Sequence, residues 1–295
     1  MKTRDLEYFQ KVVECRSFTR AAAQCQVSQP TVTAAIKRLE KEFAVQLIQR
    51  DHVHQQITIT RPGQILYRRT RQLGQELVST RRELLATQTP KIRLGLPPII
   101  GTTYFPRLVP ELLRLGLLDQ LQITESGSQK LLESLLTGKI DLALLGSALP
   151  LQNPRLQTKI IGQRPFVVVT SRQHSLAQQQ EVRFSELAQE QFIGLTQQYV
   201  HPYVWRQFCQ YAGIDPPLLY RAMDISWVKG LVQANLGISL LVVDAVSSAD
   251  DLHCLKLQEN YPEHFYISVA YRQNYVLAPQ EEQLVQSLIA KDFEI

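Results

Sequence analysis

The sequence predicts an α/β chain in three parts: a small helical head, one long helix and a two-lobed α/β body. Three observations predict it. Through Lys41 the apolar residues recur at helical spacing, residues 64 to 88 run without proline, and from residue 90 onward apolar runs alternate with amphipathic stretches in the manner of strands and helices.

The head begins with Leu6, Phe9 and Val13, one apolar face of a first helix. Ser17 is placed to cap the next, whose Phe18, Ala21, Ala22 and Cys25 form a stripe of small residues that permits close packing. In "QVSQP" the chain turns, with Ser28 as cap and Pro30 tolerated in the first helical turn, where its missing amide proton has no partner to lose. On the third helix Val32, Ile36 and Leu39 point inward. Pro30, Ala34, Lys37 and Lys41 point the opposite way, flanked by Thr33 and Arg38. Two short helices on a tight turn, the second offering Gln and Thr at its start with cations behind, make a helix-turn-helix. Its first residues are expected at base edges, with Ser28, Lys37 and Arg38 on phosphates. A generic three-helix packing unit with solvated charges is the alternative.

The alternation "QITIT", ending at Arg61-Pro62-Gly63, predicts a short hairpin or wing beside the helices. Residues 64 to 88 then place Ile65 or Leu66, Leu73, Leu77 and Leu84 along one face, with Arg68, Arg69, Arg71, Arg81 and Arg82 around it. A lone helix of this kind is best buried against its copy in a dimer, with Gly74 as its weak point.

In the body, "KIRLGL", "LQITES" and "IDLALLG" read as strands alternating with the helices "TYFPRLVPELLRL" and "SQKLLESLLTGK". A second set starts near residue 163 with "PFVVVTS", "QFIGL", "PLLYRAM" and "ISLLVV" as strands, and "FYISVAYR" returns to the first set before a closing helix. Both sets are expected to be parallel units, with a ligand cleft between the lobes.

Charge separates the head from the body. Residues 1 to 90 hold fifteen Lys and Arg against eight Asp and Glu, and the remaining residues hold seventeen against nineteen, making the net +5. A polyanion is therefore expected at the head. No run of eighteen apolar residues and no signal-peptide stretch is present, so the chain is expected to be cytoplasmic and free of membrane. Cys15, Cys25, Cys209 and Cys254 lack CxxC spacing, which speaks against zinc or a disulfide framework and for buried thiols.

The stretch "SFTRAAAQCQVSQPTVTAAIKRLEKEFAVQLIQRD", followed by "ITITRPG", a linker helix and two α/β lobes, resembles the LysR-type transcriptional regulators along the entire chain. The resemblance implies a winged helix-turn-helix over 1–63, a dimerising linker over 64–89 and an effector domain over 90–295 like a periplasmic binding protein. Lobe 1 is expected at about 90–162 and 266–295, lobe 2 at about 163–265. The implied partners are double-stranded promoter DNA, a small carboxylate effector and a second copy of the chain, commonly assembling to a tetramer, with room for a contact to RNA polymerase; no cofactor or metal is implied. The family's base-reading positions match Gln29, Pro30 and Thr33, and with Ser28, Thr31, Lys37, Arg38, Arg50 and Arg61 these form the candidate DNA-binding set. Two departures stand out: Ala34 replaces a frequent Arg, and the wing reads "DHVHQQ" where basic and small residues are common. His52 and His54 on that wing are expected beside solvent or phosphate and not as a metal pair. More narrowly, "MKTRDLEYFQ" and "KIRLGLPPIIGTTYFP" resemble regulators of malolactic fermentation genes, which implies L-malate.

In such a fold, helix N-termini converge on the cleft and attract anions. Candidates are Pro98, Ile99, Ile100, Gly101 and Thr102 after the first strand, Ser126 and Ser128 after the second, Thr196 and His201 in the second lobe, and Ser226 further on. Pro97 and Pro98 are expected to hold the backbone extended, with Ile99 and Ile100 as an apolar wall and His201 pairing with a carboxylate when protonated. Lys229 is expected to be solvated. Simple helix capping is the alternative at each Ser and Thr. No hydrolase, zinc-protease, dinucleotide or phosphate-loop motif occurs, so no enzyme is expected. The rivals are a thiol redox-sensing regulator, through Cys209 and Cys254, and a solute-binding protein with no DNA role.

Overall fold

The computed structural model describes residues 2–51, 56–88 and 91–290, in two compact units that divide between Leu84 and Leu85. In the first unit, α1 (Thr3–Cys15), α2 (Phe18–Gln24) and α3 (Gln29–Phe43) pack around Phe9, Val12, Phe18, Ala21, Ala22, Val32, Ile36 and Leu39. The Ser17 hydroxyl accepts from Arg20 N at 3.3 Å and caps α2, and the Ser28 hydroxyl accepts from Thr31 N at 3.4 Å and caps α3. The chain leaves α3 through Ala44 in the left-handed region, φ 51°. Glu40 then pins the exit, its Oε1 accepting from Leu47 N at 2.9 Å and Ile48 N at 3.2 Å. A hairpin follows, β1 (Ile48–Asp51) antiparallel to β2 (Gln56–Ile59).

α4 (Arg61–Ala86) begins three residues before the sequence pattern places it, so Arg61, Pro62 and Gly63 are its first turn and not part of the wing. Thr60 is the reason: its hydroxyl accepts from Gly63 N at 3.1 Å and donates to Gln46 O at 2.7 Å, capping α4 on the hairpin. Gly63 allows this approach, because a Cβ there would lie 2.2 Å from Leu47 O. Leu66 packs on the head's core, whereas Ile65, Leu73, Leu77 and Leu84 are all more than half exposed.

The second unit contains two sheets. In the first lobe β3 (Ile92–Leu96), α5 (Pro98–Thr103), α6 (Phe105–Arg114), β4 (Leu121–Glu125), α7 (Ser128–Leu136), β5 (Leu142–Ser147) and β6 (Leu156–Arg164) follow one another. Crossing at Pro165, the chain builds β7 (Phe166–Ser171), β8 (Glu181–Val182), β9 (Phe192–Leu195), α8 (His201–Ala212), β10 (Leu218–Ala222), α9 (Ile225–Gln233), β11 (Ser239–Val242) and β12 (Leu252–Leu257). It then crosses back to β13 (Phe265–Arg272) and closes with α10 (Pro279–Ala290).

Strand order in the first sheet is β4-β3-β5-β13-β6, with β3 parallel to β4 and β5 and with β13 antiparallel to β5 and β6. The central β5 is an unbroken apolar run because both its faces are covered. The second lobe departs from the expected parallel pattern. Its main sheet, β11-β7-β12-β8, is antiparallel at β7, while β9 with β10 and β8 with β12 run parallel. The first sheet departs too, where the polar edge strand β6 runs antiparallel to β13, and neither β6 nor the short β12 carries an apolar run that announces it.

Buried ion pairs brace the first lobe. The Asp141 carboxylate, 1% exposed, accepts from Arg93 Nη2 at 2.5 Å and Nε at 2.8 Å, and Arg272 Nη2 lies 3.5 Å away. Between the lobes, Arg164 Nε donates to Asp244 Oδ2 at 2.9 Å and to the Tyr104 hydroxyl at 3.1 Å, and that hydroxyl donates to the same carboxylate. Burial and the Asp244 carboxylate together push the Tyr104 phenol well above its usual range.

Candidate nucleic-acid interface and effector site

The helical period that buries Val32, Ala35, Ile36 and Leu39 leaves Pro30, Ala34, Lys37 and Lys41 exposed. At the start of α3 the polar groups are tied to one another: Gln29 Nε2 donates to the Thr33 hydroxyl at 3.0 Å, and the Ser28 and Thr31 hydroxyls lie 2.8 Å apart. This arrangement holds the exposed Gln29 side chain against Thr33. Lys37 makes no ion pair among the described residues.

Arg38 is a correction. The sequence places it on a phosphate, yet its Nη2 and Nε donate to the Asp5 carboxylate at 2.6 and 3.2 Å, tying α3 to α1. Asp5 is 1% exposed, and the Arg38 guanidinium holds its carboxyl below the usual range despite burial. Sequence reading took the exposed cation and overlooked the acid two helices earlier, a pairing that periodicity does not signal. Arg61 is exposed at the first position of α4. Arg50 sits on β1 opposite Ile57, but its side chain, like His52 and His54, lies outside the described residues.

The expected effector residues come only partly together. Pro98, Ile99, Ser128 and His201 line one narrow cavity with Pro97, Tyr199, Val200 and Phe265. Pro98 is not extended: it opens α5, whose turn buries Ile100 completely, so Ile100 belongs to the core and is no ligand wall. Thr102 is exposed, its hydroxyl spent on Pro98 O at 2.9 Å, and Gly101 lies 3.8 Å, as a would-be Cβ, from the Glu125 carboxylate. The Ser128 hydroxyl accepts from Gly146 N at 3.0 Å, and Ser126 N reaches Leu96 O at 3.4 Å.

His201 is the second correction. It is 3% exposed, its Nε2 accepts from Val242 N at 3.3 Å, and burial lowers its pKa to about 3. A neutral ring cannot pair ionically with a carboxylate; its buried Nδ1 has no partner among the described residues and offers one neutral N–H. Thr196 Oγ1 is likewise buried without a partner. Ser226 is exposed at the start of α9, where Asp224 caps by accepting from Ser226 N at 2.8 Å. Lys229 is not free either, being paired with Asp250 at 2.8 Å.

A wider cavity, about 380 Å³, opens at the start of α7 and is lined by Ser128, Gln129, Gln198, Tyr199 and Tyr203 among others. Sequence reading missed these glutamines and tyrosines. Gly127 precedes α7 and has no side chain to cap it, and a Cβ there would lie 2.2 Å from Gln198 O. A glycine thus lets the two lobes meet while α7 presents uncapped amides to the cavity. Burial, then the Asp224 and Glu125 carboxylates, raise the Tyr199 hydroxyl above its usual pKa, and it donates its proton to Met223 O at 3.2 Å.

Comparison with known proteins decides the family. Residues 3–64 match the bacterial regulatory helix-turn-helix protein, lysR family, and residues 86–292 match the LysR substrate binding domain. The chain belongs to the LysR family. This LysR-family protein is a DNA-binding transcriptional regulator with an effector-binding domain. It is 32% identical over 290 residues to the malolactic fermentation system transcriptional activator of Lactococcus lactis, covering 98% of each chain. It is 28% identical over 301 residues to the regulator OxyR of Escherichia coli K12, covering 99% of this chain and 96% of that one. A putative LysR family regulator from Pseudomonas aeruginosa shares the fold with TM-score 0.59 at 23% identity, over 99% of both chains. LysR regulators bind promoter DNA and small effectors and form oligomers. No described helix is long and apolar enough to cross a membrane.

Proposed function

We propose that this LysR-family regulator reads its promoter with Gln29, Pro30 and Thr33, holds phosphates with Ser28, Thr31, Lys37 and Arg61, and answers to a small carboxylate, L-malate first. What carries the reading is the cavity at the start of α7: uncapped amides, Gln129, Gln198 and Tyr203 form a donor set for an anion with no cation in the lining. The malolactic activator's similarity supports malate. In the single chain the exposed Leu73 and Leu77 on α4 want a partner, and a second copy of α4 supplies one, presenting two recognition helices to two half-sites.

A thiol sensor fares less well: burial pushes Cys209 up to about 12, where almost no thiolate exists at neutral pH, and raises Cys254 too. Fluorescence anisotropy on the DNA upstream of the chain's own gene, with L-malate, succinate or hydrogen peroxide, tests the choice. A shift in affinity with malate alone supports the reading; a response only to peroxide, abolished by Cys209→Ser, sinks it.

A further inference from the structure

A second cavity, about 350 Å³, lies away from the α7 terminus, in the second lobe. Its walls include both links between the lobes: Pro165, where β6 passes into β7, and Glu259 to His264, where β12 returns to β13. Those links are themselves tied down, with Val243 N donating to Pro165 O and His264 N to Ala148 O, both at 3.1 Å. Whatever fills this cavity touches both strands of chain that link the lobes.

Its chemistry is specific. Glu263 is 4% exposed; its Oε1 accepts from the Tyr211 hydroxyl at 2.9 Å, while its buried Oε2 has no donor within hydrogen-bond distance among the described residues. Glu259 lies beside it, with Oε1 accepting from Phe184 N at 2.8 Å and Oε2 buried without a donor in hydrogen-bond distance among the described residues, the Tyr261 hydroxyl being near enough for burial and then this carboxylate to raise its pKa. A buried carboxylate oxygen left unpaired is costly, and two lining one cavity call for a cation with N–H donors. Beside them stand aromatic rings, Phe208 and Tyr261 with centroids 4.3 Å apart and Tyr211 stacked on Tyr261 at 5.4 Å, whose carbon surface suits an apolar stem. Among the described residues no group of three or more His, Cys, Asp and Glu is placed to hold a metal, so a bare ion is not the fit. Lys256, exposed at the rim, is the one Lys or Arg in the lining.

We propose that this cavity binds a small organic ammonium ion, its N–H groups on Glu259 and Glu263 and its apolar body against Tyr261 and Phe208, so that it braces both crossovers between the lobes. The cavity shares no residue with the lining of the α7 site, so failure of malate to bind leaves this proposal standing.

Phenethylammonium is the probe, titrated calorimetrically into the full chain at neutral pH, with 2-phenylethanol as its uncharged counterpart. Saturable binding is expected, at least about tenfold tighter than for the alcohol and weakened about tenfold by Glu263→Gln, the size of one charge-assisted hydrogen bond. That variant retains an acceptor for the Tyr211 hydroxyl. Glu259→Gln, at a less buried position, gives the same test should Glu263→Gln melt early. Equal affinity for amine and alcohol, unchanged affinity in the folded variants, or no saturation in the millimolar range overturns the proposal.

Discussion

On α3 the side chains of Gln29 and Lys37 face solvent, whereas in the effector domain two polar residues singled out on the same grounds are bonded inward: Ser128 to Gly146 N and His201 to Val242 N. The contrast follows from what each region meets. DNA is a large external surface, so groups that read it remain exposed and need only be fixed in register. A small ligand is met inside a closed site, where each polar atom must be satisfied or left ready for the ligand. In the effector domain the informative atoms are therefore the orphans, such as Thr196 Oγ1 and His201 Nδ1.

The largest effect should come from breaking the inward commitment. Asp141→Ala leaves Arg93 and Arg272 facing each other in the first lobe, at 20% and 9% side-chain exposure, without their shared carboxylate. Equilibrium denaturation should show a loss of about 3–5 kcal/mol, the range for removing one member of a buried ion pair. A loss below about 1 kcal/mol would mean that the network is solvated and the contrast between the regions is overdrawn.

His201 sharpens the comparison through pH. Its folded pKa of about 3 lies below the ordinary 6.5, so between these values the unfolded chain binds the extra proton. Stability of the effector domain should then fall on acidification from pH 6.5 toward 3, by up to about 1.4 kcal/mol per unit, and be restored as pH rises. His201→Asn should flatten that slope in acid-denaturation curves; an unchanged slope would place the titration elsewhere.

Gln29→Ala asks whether exposure on α3 means reading. Binding to the preferred operator should weaken while binding to its mutated versions changes little, a loss of discrimination of about 1–3 kcal/mol at one base pair. A uniform loss across all operators would make Gln29 a positioning residue.

Much of this was legible in the sequence for a physical reason. The recognition face lies on one helix, so the period that buries Val32 and Ile36 also exposes Ala34 and Lys37, and Ser28 with Pro30 marks the start. The alternating strands and helices of the first lobe are equally local. What escaped was set by partners distant in the chain. Asp5 takes Arg38 across 33 residues, His201 is sealed by β11, Ile100 turns into the core because α5 starts at Pro98, and β12 exists because β7 offers it an edge. Nor does any local pattern announce that Gln198 would meet Gly127 and complete the cavity at α7.

The smallest effect separates two neighbouring cations. Lys37→Ala removes one charge from the exposed face, so binding to every DNA sequence should weaken alike and the slope of log affinity against log salt should fall by about 0.9, while the melting temperature stays that of the parent. Arg38→Ala differs because it strands the Asp5 carboxylate, which is held below its usual pKa by that guanidinium. With its partner present, the depressed Asp5 contributes stability above the unfolded value near 3.8 and loses it as pH falls through the folded pKa. Without Arg38 that contribution is gone at neutral pH, so the head melts earlier there and the variant converges on its parent in acid. Any loss of DNA binding should then track the unfolded fraction. Two variants with parental melts and equally reduced salt slopes would instead put Arg38 on a phosphate, its tie to Asp5 being released when DNA binds.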